Sequence, residues 1–117
     1  MVNTDKTFCT YENIYYEMWE TAGRYAGIAQ FQVIGKSHDD RMIPMVQLGN
    51  GAETIYCIAG LSGRDREMPV YLLQMLKEYA RAWESRWKLE DIYDLRELLD
   101  RWKICFIPLL NPDGYEI

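Results

Sequence analysis

The chain has 117 residues, of which 49% are hydrophobic and 26% are charged, and its formal net charge is −5. This length matches the ~100–200 residues usual for one domain and allows a hydrophobic core, so we expect a single domain over 1–117. An acidic chain without a basic run lacks the surface that releases counterions from nucleic acids or attracts anionic lipids. We therefore expect neither a nucleic acid nor a membrane as a partner.

The three cysteines are Cys9, Cys57 and Cys105. A disulfide framework needs pairs, and a thiolate zinc site needs closely spaced cysteines, so we expect reduced and mostly buried thiols. The first residues contain no apolar signal region, and the longest uncharged apolar stretch, 104–110, is far shorter than the ~20 residues of a membrane-spanning helix. Together these features predict a cytoplasmic chain in a reducing compartment.

The sequence of the first half of the chain predicts one helix followed by a β-hairpin. Thr10 is a suitable N-cap, and apolar and aromatic residues follow it at helical spacing. Residues 30–35 and 42–48 have the composition of strands, and the polar segment 36–41 between them predicts the hairpin turn. The two strands are therefore expected to pair antiparallel.

The second half predicts a strand–helix–strand unit. Residues 54–60 are apolar without alternation, which is typical of a central strand covered on both faces. Helices at 70–85 and 89–101 follow, the first with Pro69 in its first turn, and 103–108 is a second uniformly apolar strand. Because a helical crossover joins the two strands, we expect them to be parallel. The predicted class is α/β, a mixed sheet of an antiparallel hairpin and parallel strands with flanking helices.

Aromatic side chains recur at helical spacing on the predicted helices. This pattern favours a role in the core, and a platform for sugar or peptide binding is the alternative. The residues concerned are Tyr11, Tyr15, Tyr16, Trp19, Trp83, Trp87 and Trp102.

Two polar loops are expected at the carboxyl ends of the parallel strands, where ligands gather in open α/β sheets. Residues 61–68 form the first loop and 109–117 the second. Their side chains are compatible with a solvated charged turn or with a ligand-binding edge. We expect Asn111 and Asp113 to order their own turn, and we expect His38, the single histidine, to be an exposed residue of the hairpin turn.

Four segments occur in a familiar order along the chain. They are a Thr-Tyr helix start at 10–13, a hairpin at 34–43, a loop at 59–65 and an Asn-Pro-Asp-Gly run within 108–115. In this order they resemble the N-terminal part of the zinc metallocarboxypeptidase (carboxypeptidase A-like) family. The resemblance covers nearly all of this chain and well under half of the family's catalytic domain. It therefore implies one partial carboxypeptidase-like domain over 1–117.

The resemblance also places the family's zinc loop, His-x-x-Glu, on this sequence. Ser62 stands at the histidine position and Asp65 at the glutamate position, and a hydroxyl is a poor zinc ligand. Asp65 is thus a weak candidate metal ligand, and we expect no catalytic residue and no bound zinc in this chain. Arg64 matches an arginine of the family's loop that contacts substrate, so it is the candidate substrate-binding residue.

The hairpin also departs from the family's Gly-x-Ser-x-x-Gly-Arg-x-Ile pattern. Asp40 replaces the second glycine, and aspartate tolerates left-handed backbone geometry better than most residues. Arg41 keeps the family's arginine, and we expect it to be a structural ion-pair partner.

Two functions follow from the resemblance. The favoured hypothesis is a truncated or inactive relative, not a peptidase by itself, that binds a partner such as a peptide. The alternative is the N-terminal segment of an active peptidase, which removes C-terminal residues, with its remaining catalytic residues beyond Ile117. We also expect homo-oligomers through an uncovered sheet edge or apolar face, with Ile104, Phe106, Leu109, Trp87 and Trp102 as candidates for that surface.

Overall fold

The computed structural model describes residues 10–62, 64–85, 88–89 and 93–115. Four helices and six strands occur within these ranges, in agreement with the predicted α/β class. In chain order they are α1 (Tyr11–Arg24), β1 (Ala29–Lys36), β2 (Met42–Leu48), β3 (Glu53–Ile58), α2 (Met68–Ser85), β4 (Lys88–Leu89), β5 (Tyr93–Asp94), α3 (Leu95–Arg101), β6 (Trp102–Ile107) and α4 (Pro112–Tyr115).

The main sheet has four strands in the order β1-β2-β6-β3. The β1–β2 and β2–β6 pairs are antiparallel, and β3 runs parallel to β6 with Ile55 opposite Ile104. The mixed sheet and the parallel pairing of the two apolar strands are therefore confirmed. Strands β4 and β5 form a separate antiparallel pair.

Helix α1 begins at the predicted N-cap Thr10, which forms a capping box with Asn13. Thr10 Oγ1 accepts a hydrogen bond of 3.1 Å from the Asn13 amide, and Asn13 Oδ1 accepts one of 3.4 Å from the Thr10 amide. These contacts satisfy amides that an α-helix leaves without partners at its start. Ile14, Met18 and Ala22 follow at helical spacing and bury one face of the helix.

The core lies on one face of the sheet. Buried residues of α1, α2 and α3 pack there against Val46, Leu48 and Phe106. The opposite face carries a smaller cluster of Met45, Cys105 and Ile107, flanked by Ile43 and Leu110. Among the described residues, this second cluster contains no residue of a helix.

The thiols agree with the expectation of reduced cysteines, because Cys57 and Cys105 are free. Tyr56 is the partner of Cys105 in the parallel ladder, and side chains alternate along a strand, so Cys57 and Cys105 lie on opposite faces of the sheet. Cys9 lies outside the described residues. Within the described ranges, no helix combines the length and hydropathy that crossing a membrane requires.

Among the described strands, β3 is the outer strand of the sheet, which contradicts the prediction that residues 54–60 form a central strand. Most of its side chains are exposed, and the exposed fraction of Tyr56 is 61%. The strand between β2 and β3 is β6. Ile104 and Phe106 of β6, and Leu109 after it, were expected on an uncovered surface but belong to the buried core.

Two predictions about the helices also need correction. The helix expected over 89–101 spans Leu95–Arg101, and residues 88–89 pair with 93–94 as strands. Tyr16 and Trp19 were expected in the core, but they are 54% and 56% exposed because they lie on the outer side of α1. Trp83 does pack against the core, and Trp87 lies outside the described residues.

Candidate functional site

The two loops that follow the parallel strands meet at one edge of the sheet. Past the end of β6, the Leu110 amide donates to the Ala59 carbonyl at 3.1 Å, and the Asn111 amide donates to the Gly60 carbonyl at 2.8 Å. The Asn111 side-chain amide also reaches the Leu61 carbonyl at 3.4 Å. The predicted common edge of the two loops is therefore present.

Gly60 allows this close approach. Its φ is +68°, and a Cβ built there would lie 2.7 Å from the Pro108 carbonyl oxygen and 2.8 Å from the Leu109 Cα. A left-handed conformation and a contact with backbone atoms both favour glycine. Gly60 is thus the position at which the chain leaves β3 and passes the end of β6.

The first loop is a turn that leads into α2. Ser62 Oγ accepts a hydrogen bond of 3.2 Å from the Arg64 amide, and the Ser62 carbonyl accepts one of 3.1 Å from the Asp65 amide. Asp65 Oδ1 accepts a hydrogen bond of 3.1 Å from the amide of Met68, the first residue of the helix. Short polar side chains favour such turns and helix starts because they bond nearby amides. Ser62 and Arg64 are exposed, and Asp65 is half-buried.

Arg66 connects the first loop to α4. Its guanidinium carbon lies 3.8 Å from the centre of the Tyr115 ring, and its Nη1 donates to the Tyr115 carbonyl. An arginine stacked on an aromatic ring and bonded to the same residue holds both loops together. The sequence analysis missed this role, because a charged loop residue 49 positions before its partner carries no local signal.

Asp113 joins the second loop to the hairpin turn. Its carboxylate accepts hydrogen bonds from Ser37 Oγ at 2.7 Å, from the Asp39 amide at 3.0 Å and from Arg41 Nη1 at 2.9 Å. The expectation that Asp113 orders its own turn is wrong, because its carboxylate bonds residues of the hairpin turn. Asn111 has that role, since its Oδ1 accepts from the Gly114 amide at 3.1 Å.

These contacts make the Asp113 carboxylate more acidic. The hydrogen bond from Ser37 is the largest cause and lowers the pKa of Asp113 below its usual value. Partial burial opposes this effect, and the Asp39 amide and the Arg41 guanidinium add to it. The predicted role of Arg41 as a structural ion-pair partner is confirmed.

The rest of the hairpin turn also agrees with the sequence analysis. Asp40 has a φ of +63°, the left-handed geometry predicted for it. His38 is exposed, as expected for a turn residue.

The donor set at the first loop does not fit zinc. A zinc site needs at least three protein ligands, and those are normally imidazole, thiolate or carboxylate groups. Ser62 offers a hydroxyl, and Asp65 already accepts a hydrogen bond from the start of α2. In the described part of the chain, no three His, Cys, Asp or Glu side chains lie close enough to hold a metal.

Three open clefts lie elsewhere on the molecule. A cleft of about 430 Å³ lies between α1 and α2. A second cleft of about 470 Å³ lies between α1 and the hairpin turn, and a third of about 630 Å³ lies between α1 and β1. Their walls do not include Ser62, Arg64 or Asp65. The candidate site is therefore an exposed edge formed by two loops.

Comparison with known families gives a match over most of the chain. A sequence profile described as zinc carboxypeptidase matches residues 14–117. Curated relatives include metallocarboxypeptidase A of Arthroderma otae and that of Trichophyton rubrum, each 24% identical over 115 residues. Each alignment covers 97% of this chain and 27% of the relative. The chain thus spans about a quarter of the length of these relatives.

Solved structures share the fold. Bovine thrombin-activatable fibrinolysis inhibitor, in complex with tick carboxypeptidase inhibitor, matches with a TM-score of 0.77 at 16% identity over 95% of this chain and 33% of that chain. A metallo-carboxypeptidase from Burkholderia cenocepacia matches with a TM-score of 0.73 at 18% identity over 92% of this chain and 28% of that chain. At these identities the structural likeness establishes the fold alone.

Proposed function

Since the chain belongs to the zinc carboxypeptidase family, we propose that it is a non-catalytic relative that binds peptides and is not a peptidase by itself. One observation carries the proposal. Asp65, at the position that the resemblance assigns to the zinc-binding glutamate, bonds the Met68 amide at the start of α2. Ser62 stands at the position that the resemblance assigns to the zinc-binding histidine. The loop thus serves as a helix start in this chain, and the ligands for a hydrolytic metal are missing from it.

The exposed loop retains a group suited to peptide recognition. Arg64 is exposed on the same turn as Ser62 and corresponds to the family's substrate-contacting arginine. A guanidinium binds a carboxylate through two parallel hydrogen bonds and stays charged at any physiological pH. The proposed ligand is therefore a peptide carboxylate held at the edge formed by the two loops.

Binding of a short peptide with a free C-terminus, measured by fluorescence anisotropy, tests this proposal. A charged hydrogen bond contributes about 1.5–3 kcal/mol, so Arg64→Ala should weaken binding at least ~10-fold. Arg81→Ala is the matched control, because Arg81 is an exposed arginine of α2 outside the loop. Equal binding by the Arg64→Ala variant, or release of the C-terminal residue when zinc is added, would contradict the proposal.

A second candidate function is favoured by the coverage of the relatives. Because the chain spans 27% of them, it is also suited to be the N-terminal segment of an active peptidase. The coding sequence beyond Ile117, read and expressed together with these residues, distinguishes the two functions. Zinc-dependent peptide hydrolysis that Asp65→Ala abolishes would favour the second candidate.

The proposal includes a cytoplasmic location. Its support is that Cys57 and Cys105 are free thiols, which reducing compartments maintain. Fractionation of cells that express the tagged chain tests it, and recovery of the chain from the medium would contradict it.

A further inference from the structure

The loop that carries Arg64 is attached at two points to the segment that follows β6. At the start of the loop, the Asn111 side chain donates to the Leu61 carbonyl at 3.4 Å. Near its end, Arg66 Nη1 donates to the Tyr115 carbonyl, and the Arg66 guanidinium carbon lies 3.8 Å from the centre of the Tyr115 ring. Arg64 thus lies between two attachment points on one short segment.

The segment that provides both attachment points is itself well anchored. The Asn111 amide donates to the Gly60 carbonyl at 2.8 Å, and the Tyr115 amide donates to the Asn111 carbonyl at 3.3 Å. Asn111 Oδ1 also accepts from the Gly114 amide. Tyr115 is 1% exposed and belongs to the hydrophobic core. This segment is therefore a fixed support for the loop.

The other hydrogen bonds in the middle of the loop do not reach this support. Ser62 accepts from the amides of Arg64 and Asp65, and Asp65 accepts from the Met68 amide. Within the ranges that the structure describes, the hydrogen bonds of these three loop residues all stay within the loop and the first residue of α2. The half-buried Arg66 therefore connects this part of the loop to the core.

We propose that Arg66 is a positioning residue, which holds the loop in the conformation that lets Arg64 bind a peptide carboxylate. This inference rests on the proposed function. A loop that samples several conformations binds more weakly, because only the competent fraction of the molecules binds. Preorganisation by the contact between Arg66 and Tyr115 avoids this loss. A planar guanidinium suits the task, since it stacks on a ring and donates hydrogen bonds in a fixed geometry.

A positioning role differs kinetically from a direct contact. When fewer molecules are competent, the association rate constant falls in proportion, and the complex, once formed, dissociates as before. Loss of a direct charged contact, as in Arg64→Ala, mainly raises the dissociation rate constant. The two rate constants therefore separate the role of Arg66 from that of Arg64.

Stopped-flow binding of a short fluorescent peptide with a free C-terminus tests the proposal. Arg66→Met removes the planar cation, so the association rate constant should fall ~5-fold or more, which corresponds to the cost of ordering at least one backbone residue. The dissociation rate constant should stay within ~2-fold of wild type. Arg66→Lys keeps the charge without the planar group and should also associate slowly. Arg81→Met, at an exposed position of α2, controls for the lost charge and should bind as wild type does.

Each outcome of this experiment has one meaning. If Arg66→Lys associates as fast as wild type, Arg66 acts through its charge alone and the proposal is overturned. Wild-type association by Arg66→Met, or a raised dissociation rate constant in either variant, would overturn it as well. If the wild-type chain binds no peptide, the proposed function fails and this inference fails with it.

Amide hydrogen exchange followed by nuclear magnetic resonance supplies a readout that needs no peptide. The amides of Arg64 and Asp65 bond Ser62 in the folded loop. They should exchange faster in Arg66→Met and Arg66→Lys than in wild type and Arg81→Met, because the loop opens more often. Unchanged exchange in both Arg66 variants would show that Arg66 does not order the loop and would overturn the proposal.

Discussion

Ser37 Oγ donates a hydrogen bond of 2.7 Å to Asp113 Oδ1 and so joins two turns that are 76 residues apart. The first turn belongs to the hairpin and the second to the Asn-Pro-Asp-Gly run, two of the motifs that carry the resemblance to carboxypeptidases. Arg41 and the Asp39 amide complete the contact. These two motifs therefore hold the hairpin turn and the second loop together.

The acidity of Asp113 predicts a dependence of stability on pH. Its folded-state pKa is lowered, so the ionised carboxylate stabilises the fold above the unfolded-state pKa of about 3.9. This contribution is lost as the pH falls through the folded-state pKa. Asp113→Asn should lower the free energy of unfolding at neutral pH and reduce its decline below about pH 4. Urea unfolding at several pH values measures this.

The control for that prediction is Asp39→Asn in the same hairpin turn. The Asp39 carboxylate is 62% exposed and lies 3.7 Å from Arg41, so its ion pair is weak. An equal loss of stability in the two variants would contradict the role assigned to Asp113.

The hydrogen bond from Met68 to Asp65 predicts a cost when the carboxylate is removed. Asp65→Ala should lower the free energy of unfolding by about 1 kcal/mol, the usual net contribution of one hydrogen bond. Asp65→Asn keeps the acceptor oxygen and should be close to wild type. Thermal unfolding followed by circular dichroism compares the three proteins, and an unchanged Asp65→Ala variant would argue against this role.

Gly60 should not tolerate a side chain. Gly60→Ala forces a Cβ against the backbone at Pro108 in a left-handed conformation, so it should lower the free energy of unfolding by about 3 kcal/mol or more. Gly23→Ala is the control, because a Cβ there meets no atom within 4 Å and alanine favours the helix by about 0.5–1 kcal/mol. If both variants have equal stability, Gly60 does not set the close approach of the strands.

Met18 and Trp19 are neighbours on α1 with opposite exposure. Met18 is fully buried and Trp19 is 56% exposed. Met18→Ala should therefore lower the free energy of unfolding by about 2–5 kcal/mol, whereas Trp19→Ala should change it by less than about 0.5 kcal/mol. Urea unfolding followed by circular dichroism measures both, and a larger effect of Trp19→Ala would place the core on the wrong face of α1.

Local patterns predicted much of the fold. The N-cap at Thr10, the hairpin and the parallel pairing of two apolar strands all depend on residues close in sequence or on connection rules. The common edge of the two loops follows from the same rules. The order of the strands does not, because an apolar run such as β3 has the same sequence pattern whether it lies at the centre or at the edge.

Side-chain contacts across long separations were also beyond sequence reasoning. Nothing near Arg66 indicates Tyr115 as its partner, and nothing near Asp113 indicates Ser37. Likewise, the spacing of the aromatic residues on α1 is compatible with either of two faces of the helix packing against the core. The position of the sheet decides between them and leaves Tyr16 and Trp19 exposed.

Under the proposed function, the loop that the resemblance assigns to zinc serves as the start of α2 and holds no metal. The zinc content of the purified chain, measured by inductively coupled plasma mass spectrometry after dialysis against zinc at neutral pH, tests this. We expect well below one zinc per chain and no change in Asp65→Ala, because the loop offers one carboxylate where zinc needs at least three protein ligands. One tightly held zinc per chain that is lost in Asp65→Ala would contradict it.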